Sequence, residues 1–164
     1  MTDTYYALQT VRMLGGRLAQ TEEIEAFVRS CSNEGFSFKP NDAPDADHTY
    51  VSVQSLRLLG KRLGSPARIA NFLGKCRMPA SGFANRPNAI PTMNATYWAV
   101  HALKLLRWGI PDKHGLVGFV LSCQNADGGF KRSPKAVAHS WLWHTYCGVH
   151  SLLLLSNDRR AWTE

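Results

Sequence analysis

Arg86 lies three residues beyond Phe83 of a Gly82-Phe83 pair, and Lys39 lies three residues beyond Phe36 of Gly35-Phe36. Lys131 and Arg132 directly follow Gly129-Phe130. Cations repeated at one kind of loop can give an anion such as a diphosphate charge-assisted hydrogen bonds, or they can simply be solvated. The chain as a whole is basic, with 19 Lys and Arg against 12 Asp and Glu and a net charge of +7. That balance favours anionic partners or a basic solvated surface. Nucleic acid is not expected, because there is no basic run of five, no zinc-finger spacing and no RNA-binding signature. The four cysteines form no Cys-x-x-Cys pair, so a cysteine-rich metal site is not expected. Cys31, Cys76 and Cys123 recur after 45 and 47 residues behind the same apolar stretch, which marks them as small buried hydrophobes. Asp47, just before His48-Thr49, reads as the cap of a helix opening there. His101 and His150 read as core histidines that add polar groups to an interior face.

These residues recur because the chain repeats. Thr4-Tyr5, Thr49-Tyr50, Thr96-Tyr97 and Thr145-Tyr146 open four similar segments, with their threonines 45, 47 and 49 residues apart. A phenylalanine follows each of the first three threonines by 23 residues, at Phe27, Phe72 and Phe119, and a Gly-Phe pair follows each phenylalanine. A fixed period of this size means stacked supersecondary units. Both segment types carry apolar residues at three- and four-residue steps, so both read as helices. Small residues three apart, such as Ala99 with Ala102 and Gly148 with Ser151, permit close helix approach. Expected starts of the second helices are Thr21 before Glu22-Glu23, Ser65-Pro66 and Pro111-Asp112. The Thr-Tyr helices belong in an inner layer, being apolar on more sides. The Phe helices belong outside, with Glu22, Glu25, Arg29, Arg68 and Lys75 toward solvent. The expected fold is all-α, one domain over 1–164, with repeats at about 2–46, 47–93, 94–143 and a partial 144–164.

Cys123-Gln124-Asn125-Ala126-Asp127-Gly128-Gly129-Phe130 resembles the Cys-Gln-x-x-x-Gly-Gly-Phe signature of the prenyltransferase and squalene-cyclase repeat family. The Thr-Tyr helices resemble that family's inner helices, and the resemblance covers essentially the whole chain. It implies an α/α toroid, here about half a ring of four inner and three outer helices, around an apolar cavity that holds an isoprenoid. Protein prenyltransferases of the family hold a catalytic zinc through Asp-x-Cys and His. The matching positions here are Asn94, Thr96 and His144, of which only the histidine is a natural zinc ligand. Zinc is therefore not expected, and Mg²⁺ would enter only with a diphosphate. The resemblance also implies that Arg86 and Tyr97 contact a prenyl diphosphate, with Lys131 and Arg132 nearby and Tyr50, Trp98, Trp141 and Trp143 lining a pocket or stabilising a carbocation. Class II terpene cyclases carry Asp-x-Asp-Asp-Thr, which Asp45-Ala46-Asp47-His48-Thr49 approaches, with Asp47 as the acid and His48 in place of the last aspartate.

Three functions stay open: isoprenoid diphosphate binding with prenyl transfer lacking the usual zinc, a small class II cyclase-like enzyme, and a non-catalytic lipid- or partner-binding module. No apolar run is long enough to span a membrane. The first residues lack a signal-peptide pattern, and with unpaired cysteines this suggests a cytoplasmic protein. Both end units lack a neighbour, Leu152 to Leu155 is apolar all round, and the stretch 156–164 is short for an outer helix. The expectation is a homodimer or hetero-complex that completes the ring.

Overall fold

A computed structural model describes residues 2–79 and 81–156. Seven α-helices alternate between two layers. The inner layer holds α1 (Thr2–Met13), α3 (Ala46–Leu58), α5 (Met93–Leu105) and α7 (Leu142–Leu155). The outer layer holds α2 (Thr21–Ser30), α4 (Pro66–Lys75) and α6 (Lys113–Ser122). Inner helices pack side by side in the order α1, α3, α5, α7, and each outer helix packs on the inner helix that follows it. The described residues form no strand beyond isolated bridges beside the Gly-Phe loops.

The recurring residues have one repeated job. Thr49, Thr96 and Thr145 accept through Oγ1 the backbone N–H of Phe36, Phe83 and Phe130 at 3.0, 2.9 and 3.0 Å. Each threonine thus fixes the preceding Gly-Phe loop onto its inner helix. Gly35 and Gly82 are required by contact: a Cβ there would collide with Thr49 and Phe72, or with Thr96 and Phe119. The outer-helix phenylalanines therefore lie over the Gly-Phe loop of the preceding unit. Phe72 and Phe119 are buried, whereas Phe27, with no earlier loop in the described chain, is 40% exposed. Cys31, Cys76 and Cys123 end the outer helices, and their carbonyls accept the N–H of Ser37, Ala84 and Lys131. All four cysteines are free and buried, as small hydrophobes would be.

Helix starts differ from expectation at three places. Asp45, not Asp47, caps α3: its carboxylate accepts the N–H of His48 at 2.9 Å. An N-cap acceptor reaches the second or third N–H of the helix, and only the residue before Ala46 is placed for that. Gln20, at φ 53°, precedes α2, and Thr21 instead donates to Glu22 Oε2. Asp112 caps α6 by accepting from Gly115, so Pro111 stands before the cap and not in the first turn. Ser65 and Pro66 open α4 as expected.

The end helices also differ from expectation. Leu154 and Leu155 are buried; the exposed large apolar residues of α7 are Leu142, Trp143, Tyr146, Val149 and Leu153, and all but Trp143 fall on one stripe at helical spacing. Small residues at the column of Ala7 and Thr10 are buried in α3, α5 and α7 but exposed in α1, before which the described residues hold no outer helix. The stretch 157–164 lies outside the described residues.

Candidate functional site

One tyrosine from every inner helix, at the same register, turns toward the concave side: Tyr5, Tyr50, Tyr97 and Tyr146. Tyr97 sits centrally, edge-on to Tyr50 at 5.8 Å, Tyr146 at 5.7 Å and Trp143 at 6.2 Å. Tyr5 meets Tyr50 at 6.2 Å. With Tyr6 and Trp98, these rings enclose a cavity of about 270 Å³ whose remaining wall is Thr2, Gln9, Val51 and Asp47. Burial drives the Tyr97 phenol far above its ordinary range.

One helical turn onward the column becomes polar. Gln54 Nε2 donates to Tyr50 Oη, and His101 Nδ1 faces Tyr97 Oη, each at 3.3 Å. His101 stacks on His150 at 6.0 Å. Burial, with smaller contributions from the neighbouring His150 and Arg57, lowers His101 to about 4, so it is neutral near pH 7. The column next to the cavity is therefore polar, and its His101 is uncharged near pH 7.

At the start of α3 the two aspartates divide their work. Asp45 is buried, and its carboxylate holds His48 Nδ1 at 2.9 Å and Arg86 at 3.7 Å. The hydrogen bond that His48 makes to Asp45 raises the His48 pKa. Asp47 lies one register on and faces the aromatic cavity. Its N–H donates to Asn85 Oδ1 at 3.1 Å. Burial raises its carboxyl pKa; the His48 charge opposes this, and the nearby Asp45 charge adds to it less strongly. Arg86 and His48 border Asp45 and do not line the aromatic cavity.

A second cavity, of about 630 Å³, opens between the loops before α5 and α7. Asn85, Ile90, Asn94 and Arg132 line it, and Trp98 forms a wall of both cavities. Lys131 lines neither: its N–H is tied to Cys123 O, and its charge acts on the Cys123 thiol. Trp141 stands outside the aromatic cavity as well, beside His144 at 5.9 Å and largely exposed.

Asn94, Thr96 and His144 are a poor donor set for zinc. Thr96 is fully buried and its Oγ1 is committed to Phe83 N–H. An amide oxygen and one imidazole then remain, short of the three protein ligands of a catalytic zinc. Asn94 Oδ1 and His144 Nδ1 are buried without a hydrogen-bond partner among the described residues. Burial, then the Arg132 charge, lowers the His144 pKa.

Sequence reasoning did not single out Tyr5, Tyr146, Asn85 or the hub role of Asp45. The first two share the Tyr50 and Tyr97 column, so the repeat already contained their signal. Asn85 and Asp45 act through loop geometry that the repeat does not encode.

A search of curated proteins found no match. Among solved structures, the fold is similar to Candida albicans protein geranylgeranyltransferase-I complexed with GGPP, at 18% sequence identity and a TM-score of 0.80. That likeness covers 94% of this chain and 49% of the other, so the chain spans about half the length of that structure. The family description "prenyltransferase alpha-alpha toroid domain" matches residues 1–164. With its inner and outer helices, Gly-Phe loops and concave aromatic column, the chain belongs to the prenyltransferase alpha-alpha toroid family.

Proposed function

We propose that the chain binds an isoprenoid diphosphate, with hydrocarbon against the tyrosine column and the diphosphate at the adjoining polar cavity. The observation that carries this is Trp98, which separates an aromatic cavity from a larger one bearing Arg132. An amphiphile with an apolar chain and an anionic head matches that pairing. Arg132, which lines the larger cavity, is the first head-group cation, and Arg86 is a second one, provided a diphosphate draws it from Asp45. Lys131 contributes at most to the general field. The aromatic cavity alone is below the ~300–1,000 Å³ of most small-molecule sites, so it suits one end of a ligand. Zinc takes no part in this reading, because Thr96 is structurally committed; Mg²⁺ would arrive with the diphosphate. Any prenyl transfer would then proceed without a zinc-bound thiolate.

Calorimetry with geranylgeranyl diphosphate and with geranylgeraniol tests this. Arg132→Ala should weaken the diphosphate by about 1.5–3 kcal/mol and leave the alcohol unchanged. Equal losses for both ligands, or no binding of either, would overturn the assignment.

A cyclase-like activity is the second reading, and it is favoured by Asp47: a partly buried carboxyl with a raised pKa, facing an aromatic cavity. Burial favours the protonated form that an acid needs. Incubation with squalene or geranylgeranyl diphosphate should give a cyclic product that Asp47→Asn abolishes; no product from the native chain refutes it.

We further propose that a second copy or a partner chain covers the exposed stripe of α7 and the bare side of α1, completing the ring. Sedimentation should show association that Val149→Glu and Leu153→Glu both weaken, and a monomer at micromolar concentration would contradict it. Among the described residues no helix is long and apolar enough to cross a membrane. Four free cysteines fit a reducing cytoplasm.

A further inference from the structure

The aromatic cavity has a chemical bias that a hydrocarbon leaves unused. Seven of its eleven wall residues are Tyr or Trp, and Asp47 is the one charged residue among them. No Lys, Arg or His lines it. Among the described residues the Asp47 carboxylate takes part in no hydrogen bond or ion pair. Its neighbour His48 is turned away, with Nδ1 held by Asp45 at 2.9 Å. A partly buried carboxylate normally has a partner, because an unpaired charge is costly away from water. Here His48 and Asp45 act on it only through space, the first attractive and the second repulsive, and no basic residue lines the cavity beside it.

We propose that this cavity is a site for a small organic ammonium ion, its alkylated nitrogen among the Tyr and Trp rings and Asp47 as its counter-ion. Cation–π attraction operates within about 6 Å of a ring centroid. Tyr97 stands 5.8 Å from Tyr50 and 5.7 Å from Tyr146, so a cation lodged against one ring is within reach of others. A hard metal ion does not fit this wall, since it would need several oxygen ligands where one carboxylate is present. An alkylated ammonium does fit, because its methyl groups also bury apolar surface against the rings. The +7 charge of the chain opposes a cation only at long range, where salt screens it beyond about 8 Å. The ammonium would occupy the cavity that the isoprenoid reading gives to hydrocarbon, so the two ligands would compete for it; the inference concerns the charge that the cavity accepts and not the diphosphate end.

The test is calorimetric titration of the full chain with choline and with its neutral analogue, in which carbon replaces the nitrogen. Choline should bind about thirtyfold more tightly, the equivalent of about 2 kcal/mol for a desolvated cation–π site. Asp47→Asn and Trp143→Leu should each cut that preference at least about fivefold, while Trp143→Phe keeps it. Circular dichroism checks that the variants remain folded, and Trp143 is partly exposed, so its replacement disturbs the core least. Equal binding of choline and its analogue overturns the proposal. So does a preference that survives both Asp47→Asn and Trp143→Leu. Geranylgeraniol titrated in parallel separates the two assignments: its binding without choline selectivity removes the ammonium site alone.

Discussion

Replacing Thr96 by valine keeps the shape and β-branching of the side chain and deletes one acceptor. That acceptor takes the Phe83 N–H at 2.9 Å, in a place where both Thr96 and Phe83 are fully buried. Water cannot enter to replace it, and the N–H is left unpaired. The cost of such an orphan is about 1–3 kcal/mol. Taking about 2 kcal/mol, and about 2–4 °C per kcal/mol for a chain of this size, the melting temperature should fall by about 4–8 °C. Thr4 provides an internal control. It occupies the same column, yet no Gly-Phe loop precedes it in the described chain and its Oγ accepts no such bond. Thr4→Val should therefore change stability by no more than about 0.5 kcal/mol. Thr96→Ser, which restores the acceptor, should recover much of the loss. Urea denaturation followed by circular dichroism measures all three variants on one scale. If Thr96→Val and Thr4→Val prove equally mild, the threonine column does not secure the loops, and Thr96 is freer than its geometry implies.

Other perturbations follow from the same geometry. Gly82→Ala should destabilise by more than about 1 kcal/mol, because the new Cβ collides with Phe119 and Thr96; Gly118→Ala in α6, with nothing within 4 Å, should stabilise by about 0.5–1 kcal/mol. Denaturation midpoints of the two variants should move in opposite directions. The Asp45 hydrogen bond raises the His48 pKa above its ordinary 6.5, so this pair contributes its full stability below about pH 6.5 and loses it as pH rises through the folded-state value. The stability gap between the native chain and His48→Gln should accordingly be wider at pH 6 than at pH 9, and a gap independent of pH would mean that the pair does not titrate with folding. Cys76→Ala should cost stability through a small core void, while the native thiol stays unreactive to alkylating reagents in the folded chain, since burial pushes it up to about 12. Rapid labelling of Cys76 under native conditions would contradict that environment.

The repeat made much of this protein legible in one dimension. Column by column, Thr with Tyr, Phe, Cys and Gly with Phe foretold two helices per unit, an inner and an outer layer, and loops at one recurring place. This works because a column has one local physical task that successive units repeat: the hydroxyls of Thr49, Thr96 and Thr145 each meet a loop N–H, and Gly35 and Gly82 each make room for a phenylalanine ring. Tyr50 and Tyr97 stand in such a column, but it was the family resemblance that pointed to them and to Trp98 as pocket residues, and all three line the aromatic cavity. What sequence could not decide was orientation at non-repeating positions. Asp45 and Asp47 are two residues apart, and a difference in helical register sends one to the cap and the other to the cavity. Arg86 and Arg132 stand at similar loop positions, yet a neighbouring carboxylate claims Arg86 while Arg132 borders the larger cavity. Lys131, adjacent in sequence to Arg132, lies outside both cavities because its backbone is fixed to Cys123. Those assignments depend on which groups from distant units come within a few ångströms, a property of the stacked helices that no single unit contains.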